Sequence, residues 1–183
     1  MSMGMAVMTD YARRRFVEMV LPHLDESYRL ARWLTGNGTD AEDVVQDACL
    51  KALASLDATI VGHPRAWIMT IVRNTAYTWL TKNKSKVVEL TGDIVGLEAA
   101  AALDSDARAL DPEESLIAAA DEAMLEAAIE ALPPAYREVV VMRDVNGMSY
   151  REIAEAIDAP QGTVMSRLAR GRALLIKRIG TRA

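Results

Sequence analysis

Cysteine, histidine and large aromatics are scarce in this chain. Among its 183 residues there is one cysteine, Cys49, one phenylalanine, and two histidines, His23 and His63. A lone cysteine excludes a disulfide within the chain, and so few soft ligands leave no metal-ligand cluster. No metal and no cofactor is expected. Cys49 falls on an apolar helical face, which fits a buried structural thiol. The shortage of aromatics, set against abundant Ala, Leu, Val and Met, favours helices over sheet. No apolar run is long enough to span a bilayer. The Met-rich N-terminus places Arg13, Arg14 and Arg15 after its short apolar stretch, the reverse of a signal peptide. A cytoplasmic protein without membrane insertion is expected. A nucleophile elbow, a phosphate-binding glycine loop and paired histidine ligands are all missing, so an enzyme is not expected.

A second shortage is local. Residues 58–88 contain no Asp or Glu but hold Arg65, Arg73, Lys82, Lys84 and Lys86. Residues 159–183 again contain no acid but hold Arg167, Arg170, Arg172, Lys177, Arg178 and Arg182. The net charge is −5, so these two islands sit in a strongly acidic remainder. Two basic islands in an acidic protein point to two polyanion-facing surfaces, with the acidic part used elsewhere. A solvated face explains either island, but explains both together less well.

What is present reads as helices throughout. Thr9 or Asp10 can cap a helix to about Val20, after which Pro22 interrupts. Leu24, Tyr28, Ala31 and Leu34 keep helical period, and Gly36-Asn37-Gly38 closes that helix. Thr39 with Glu42 has capping-box spacing and predicts a helix from Asp40 to about Leu56. Val44 or Val45, Ala48, Ala52 and Leu56 face its core, while Glu42, Asp43, Gln46, Asp47 and Lys51 form its polar side. A loop over 57–63 precedes a helix from Arg65 to about Asn83. That helix mixes Trp67, Ile68, Ile71, Tyr77, Trp79 and Leu80 with its cations. Aromatics among cations suit single-stranded nucleic acid, although Trp67 and Trp79 suit core packing as well. Residues 86–112 turn acidic and Gly-, Pro- and Ala-rich, as a linker would. Helices over 113–131 and 135–143 follow.

Asp144 to Arg178 has the spacing of a helix-turn-helix. Ser149 and Glu152 make a capping box, and Ile153, Ala154 and Ile157 share an apolar face. Asp158 tolerates a left-handed turn, and Pro160 suits a helix start. Val164, Leu168, Gly171 and Leu175 recur at helical spacing and point inward. Thr163, Ser166, Arg167, Arg170 and Arg172 are left outside or flanking, as reading a major groove requires. A surface helical hairpin with a solvated basic face has the same pattern.

Three segments together resemble bacterial sigma factors. Thr39-Asp40-Ala41-Glu42-Asp43-Val44-Val45-Gln46-Asp47-Ala48 resembles their polymerase-binding segment. His63-Pro64-Arg65-Ala66-Trp67-Ile68 through Arg73-Asn74 resembles their promoter-melting and −10-reading helix. Leu132-Pro133 through Arg137, with Gly147 to Ala154 and Gly162 to Leu168, resembles their −35-reading domain. Two domains on a short tether are similar to the extracytoplasmic-function (ECF) group. The resemblance implies an all-α chain of two small helical domains joined by a flexible acidic linker, the C-terminal one a helix-turn-helix domain of four helices. The implied boundaries are an N-terminal extension over 1–15, a polymerase- and −10-binding domain over 16–85, a linker over 86–112 and a −35-binding domain over 113–183.

By that resemblance Glu42, Asp43, Gln46 and Asp47 dock on core RNA polymerase. Arg65, Trp67, Arg73, Asn74, Lys82 and Lys84 contact the −10 element, with the loop over 57–63 receiving a flipped base. Arg151, Thr163, Met165, Ser166, Arg167 and Arg170 contact the −35 element. An anti-sigma protein is the implied regulator. The linker, with Asp104, Asp106 and Asp111, is either a solvated tether or a segment that threads the polymerase nucleic-acid channel. Thr78, Thr81 and Met165 depart from the family pattern, the first two where an acid and a base are usual, the last where a base is usual. Two other functions fit parts of the chain: a DNA-binding regulator independent of polymerase, which leaves 39–83 unused, and a sigma-like decoy that sequesters an anti-sigma protein.

Overall fold

The computed structural model describes residues 10–56, 59–83 and 123–180. The expected linker over 86–112, Lys84 and Lys86 lie outside the described residues. Those described are helical with no strand among them, and none of the helices is long and apolar enough to cross a membrane.

Helix α1 spans Asp10–Met19, and its Ala12 is buried. A 3₁₀ turn over Leu21–His23, begun by Pro22, redirects the chain into α2, Leu24–Thr35. Gly36 ends α2 with φ +90°, a left-handed conformation in which glycine carries no Cβ penalty. Helix α3 spans Gly38–Ser55. Its cap is Asn37, not the expected Thr39 with Glu42: Asn37 Oδ1 accepts from the Asp40 N–H at 2.9 Å. Asn is the stronger cap, and it sits where the chain leaves the Gly36 turn, so the helix starts earlier than Thr39 would set it. Helix α4 spans Pro64–Lys82, with Pro64 in its first turn. Leu30 and Leu34 from α2, Ala41, Val44, Ala48 and Ala52 from α3, and Ile68, Met69, Val72 and Ala76 from α4 are buried and form the core of this first domain. Cys49 packs against that core half-buried, and burial pushes its thiol pKa up.

The second domain contains α5 over residues 123–130, α6 over Pro134–Val140, α7 over Tyr150–Ala156 and α8 over Gln161–Gly180. The helix expected to run on to Arg143 instead changes at Val141 into a π turn, Val141–Val145. The wider turn lets the Asn146 N–H reach the Val141 carbonyl at 2.9 Å, and Gly147 then reverses the chain at φ +66°. The capping box forms as expected: the Glu152 N–H donates to Ser149 Oγ, and Glu152 Oε2 accepts from the Ser149 N–H at 2.8 Å. Asp158 turns at φ +50°. Pro160 stands just before α8 rather than in it, where its carbonyl accepts from the Thr163 and Val164 N–H groups. Val164, Leu168, Gly171 and Leu175 are all buried.

Arg137 shows why an arginine follows the Leu132-Pro133 turn. It donates to the Leu132 carbonyl at 3.0 Å, to the Glu130 carbonyl, and to the Trp33 carbonyl of α2 at 2.9 Å. The first two satisfy acceptors left over at the end of α5, and the third ties that end to the first domain. Burial pushes this guanidinium pKa below its ordinary value.

Candidate nucleic-acid and partner interfaces

The polar side of α3 is built as expected. Ala41, Val44, Ala48 and Ala52 are turned into the core at three- and four-residue spacing, which leaves Glu42, Asp43, Gln46 and Asp47 on the exposed side. Lys51 pairs with Asp47 at 2.7 Å and also donates to Thr75 Oγ1 of α4 at 3.1 Å. The remaining acids of this face carry no cation of their own face, a surface suited to a basic protein partner and repulsive to phosphate.

The basic helix α4 divides its candidates. Asn74 and Lys82 are exposed, and Trp67 and Trp79 lie half-buried against the core. Thr78 and Thr81 turn their hydroxyls back onto the helix, donating to the Asn74 and Tyr77 carbonyls at 2.8 and 2.9 Å. Arg65 and Arg73 are engaged. Arg65 donates through Nε and Nη2 to the two Glu26 oxygens, both at 2.8 Å, and also to the Asn146 carbonyl of the second domain. The Glu26 hydrogen bond holds the Arg65 pKa above its ordinary value. Arg73 donates to Glu138 at 2.6 and 3.2 Å. Burial pushes the Arg73 pKa down, but the hydrogen bond and charge of Glu138 more than offset it, and the net direction is up. Its guanidinium also lies over the Tyr77 ring, 4.8 Å from the centroid.

In the second domain, Arg151, Met165, Ser166 and Arg170 are exposed, and Thr163 and Arg167 are half-buried. Arg151 leans on Glu155 at 3.2 Å along its own helix. Arg167 reaches Glu138 at 3.4 Å. Arg172, which the spacing left flanking the inward stripe, is paired to Asp144 through Nε at 3.1 Å. Helix α8 thus presents small polar and apolar side chains with Arg170 at an exposed N-terminal half, the arrangement that a groove-reading helix needs.

The two domains meet through α4 and α7 and through α2 and α6. Glu138 and Glu26 were not singled out from the sequence, and Arg137 and Asn146 stand out there only as parts of local segments, yet all four join the domains. The one signal for Glu138 is its neighbourhood: an acid directly before the apolar run Val139-Val140-Val141-Met142 sits on a face that must be buried.

Comparison with known proteins gives the family. The family model for sigma-70 region 2 matches residues 19–86, and that for sigma-70 region 4 matches residues 122–175. The ECF RNA polymerase sigma-E factor of Escherichia coli (strain K12) is 31% identical over 135 residues, covering 73% of this chain and 70% of that protein. The chain belongs to the ECF sigma factors. The ECF sigma factor SigW of Bacillus subtilis is 28% identical over 166 residues, 90% of this chain and 88% of its own length. SigE of Mycolicibacterium smegmatis is 33% identical over 156 residues, and the chain spans 58% of that relative's length. Among solved structures, the sigma factor RpoE of Bartonella quintana, in complex with the anti-sigma factor NepR, matches with a TM-score of 0.68 at 27% identity, covering 91% of this chain and 98% of that one. Sigma factors are proteins of transcription initiation, and the acidic face of α3 and the helix-turn-helix fall in the matched regions 2 and 4 respectively.

Proposed function

We propose that this ECF sigma factor binds core RNA polymerase in the cytoplasm and directs it to promoters through a −10 and a −35 element. The observation that carries it is the opposite chemistry of two exposed faces in one chain. Glu42, Asp43, Gln46 and Asp47 offer an acidic surface to the polymerase, and α8 offers Met165, Ser166 and Arg170, flanked by the half-buried Thr163 and Arg167, to a major groove. In this scheme Arg65, Trp67, Arg73, Asn74, Lys82 and Lys84 hold the −10 strand once it is unpaired. Melting needs no catalytic side chain: binding the single strand better than the duplex offsets the cost of unpairing. The division of labour follows the boundaries 16–85 for polymerase and −10, 86–112 for the linker and 113–183 for −35. Regulation by an anti-sigma protein follows from the likeness to RpoE in its complex with NepR.

Reconstituted transcription tests this. Purified bacterial core polymerase receives fragmented genomic template with and without the protein, and the transcripts are sequenced. Discrete new start sites that share a two-part upstream element are expected. Tight, specific DNA binding by a chain that does not bind core would replace this function with polymerase-independent regulation.

A further inference from the structure

Arg15 of α1 reaches out of its own helix to the chain that joins α3 to α4. Its Nη1 donates to the Leu56 carbonyl, and its Nη2 donates to the Thr59 carbonyl at 3.1 Å. Leu56 is the C-cap of α3, and the last carbonyls of a helix have no partner within it. A cation at that end is also favoured by the helix dipole. One planar guanidinium thus ties the end of α3 to the start of the loop at a fixed separation.

The anchor is itself held. Ala12 and Val20 on either side of Arg15 are buried, and Phe16 packs against the core. The Arg15 guanidinium lies 5.7 Å from the centre of the Tyr11 ring, one turn back along α1. The far end of the loop is fixed by α4, where the His63 carbonyl accepts from the Trp67 N–H at 3.0 Å and Pro64 sets the first turn. Between these two attachments Ile60 is 99% exposed and Gly62 is exposed. Arg15 also differs from Arg65 and Arg73 in its partners, which are carbonyls and not carboxylates, so its charge is not cancelled. Arg13 and Arg14 are exposed beside it, and residues 59–63 contain no acid. Helix α1 therefore sets a positive field next to the loop.

We infer that Arg15 is a positioning residue for promoter specificity, pinning loop residues 59–63 so that they meet the unpaired −10 strand in one shape. In this scheme Arg15 touches no base and acts through the loop backbone. A loop pinned before binding has less freedom to lose, and it cannot rearrange to accept a wrong base. The reading of −10 by this loop rests on the proposed function; the pinning does not.

The test uses the full chain with Arg15→Lys and, separately, Arg15→Gln. Lysine keeps the charge but offers a compact ammonium in place of the fork. In the isolated protein, NMR order parameters of the Ile60, Val61 and Gly62 amides should fall from about 0.8 to about 0.6 or below in both variants, with those of α2 and α4 unchanged. Reconstituted transcription then uses a promoter library randomised at −10. Discrimination between the best and worst base at the most selected position should fall about fivefold in both variants, the scale of a single net hydrogen bond. Preference at −35 and affinity for core should stay at parent values. Arg15→Lys should hold a single strand as tightly as the parent and Arg15→Gln less tightly, which separates the fork from the charge. An Arg15 that serves only stability would lower the melting temperature and the yield from every promoter alike, with base preference kept. That outcome, or order parameters that do not change, overturns the inference. Failure of the proposed function would show differently, as absence of core-dependent start sites in a parent whose loop is ordered and is loosened by both substitutions.

Discussion

Gly171 lies against Val140 so closely that a Cβ at position 171 would stand 2.8 Å from Val140 Cγ2 and 3.4 Å from Tyr136 Cβ. This contact sets how near α8 can approach α6. Alanine there gains helix propensity of about 1 kcal/mol, but crowding a packed site costs about 1–3 kcal/mol. Val140 is buried and cannot turn away. Gly171→Ala should therefore lower stability by roughly 1 kcal/mol, and Gly171→Leu by more. Urea denaturation checks both, and a Gly171→Ala protein as stable as the parent would show that α8 can shift without loss.

The capping box at Ser149 and Glu152 predicts an acid response. Burial pushes the Glu152 pKa up, but the Ser149 N–H and hydroxyl and the Arg65 charge more than offset it, and the carboxyl is held below its ordinary range. A group with a depressed folded pKa stabilises the fold above its unfolded pKa, and the contribution disappears as pH falls through the folded one. Melting temperature should drop across that acid window in the parent. Glu152→Gln should flatten this part of the profile, and Ser149→Ala should cost about 1 kcal/mol at neutral pH.

Asp43 is exposed on α3 and has no ion pair among the described residues, so reversing its charge should leave folding within about 0.5 kcal/mol. Its effect should fall on the partner. Asp43→Lys is expected to weaken binding to core polymerase about tenfold, or roughly 1.4 kcal/mol, with a changed salt dependence. Biosensor titration against core measures it, and unchanged affinity would remove this face from the polymerase contact.

Met165, 54% exposed near the start of α8, presents an apolar tip on the face proposed to read the −35 element. If it covers a thymine methyl, Met165→Ala should reduce discrimination for that base by roughly 1 kcal/mol, about fivefold, without loss of stability. Met165→Arg should instead add one phosphate-directed cation and steepen the salt slope of DNA binding by about one. Selection from a promoter library randomised at −35 separates the two.

Local chemistry was legible wherever it is written in consecutive residues. The Ser149–Glu152 cap, the left-handed Asp158, the inward stripe Val164-Leu168-Gly171-Leu175 and the exposed acidic side of α3 each depend on spacing along one helix or one turn. The cap of α3 was misplaced because Asn37 and Thr39 both suit a cap, and only the Gly36 turn decides which is reached first. The π turn after Val140 left no trace, because its apolar residues fit an ordinary helix equally well.

The chain's sequence by itself therefore determined the helices, their buried faces, the two basic islands and the family to which they belong. The tertiary structure alone decided that Arg65 and Arg73 are bound to carboxylates rather than free, that Arg137 ties α5 to α2, and that Glu138 is the common acceptor for both domains. The physical reason is separation along the chain. Arg73 and Glu138 are 65 residues apart. No periodicity of helix or turn relates residues so distant, and a charge reads as solvent-facing until folding shows what is packed over it.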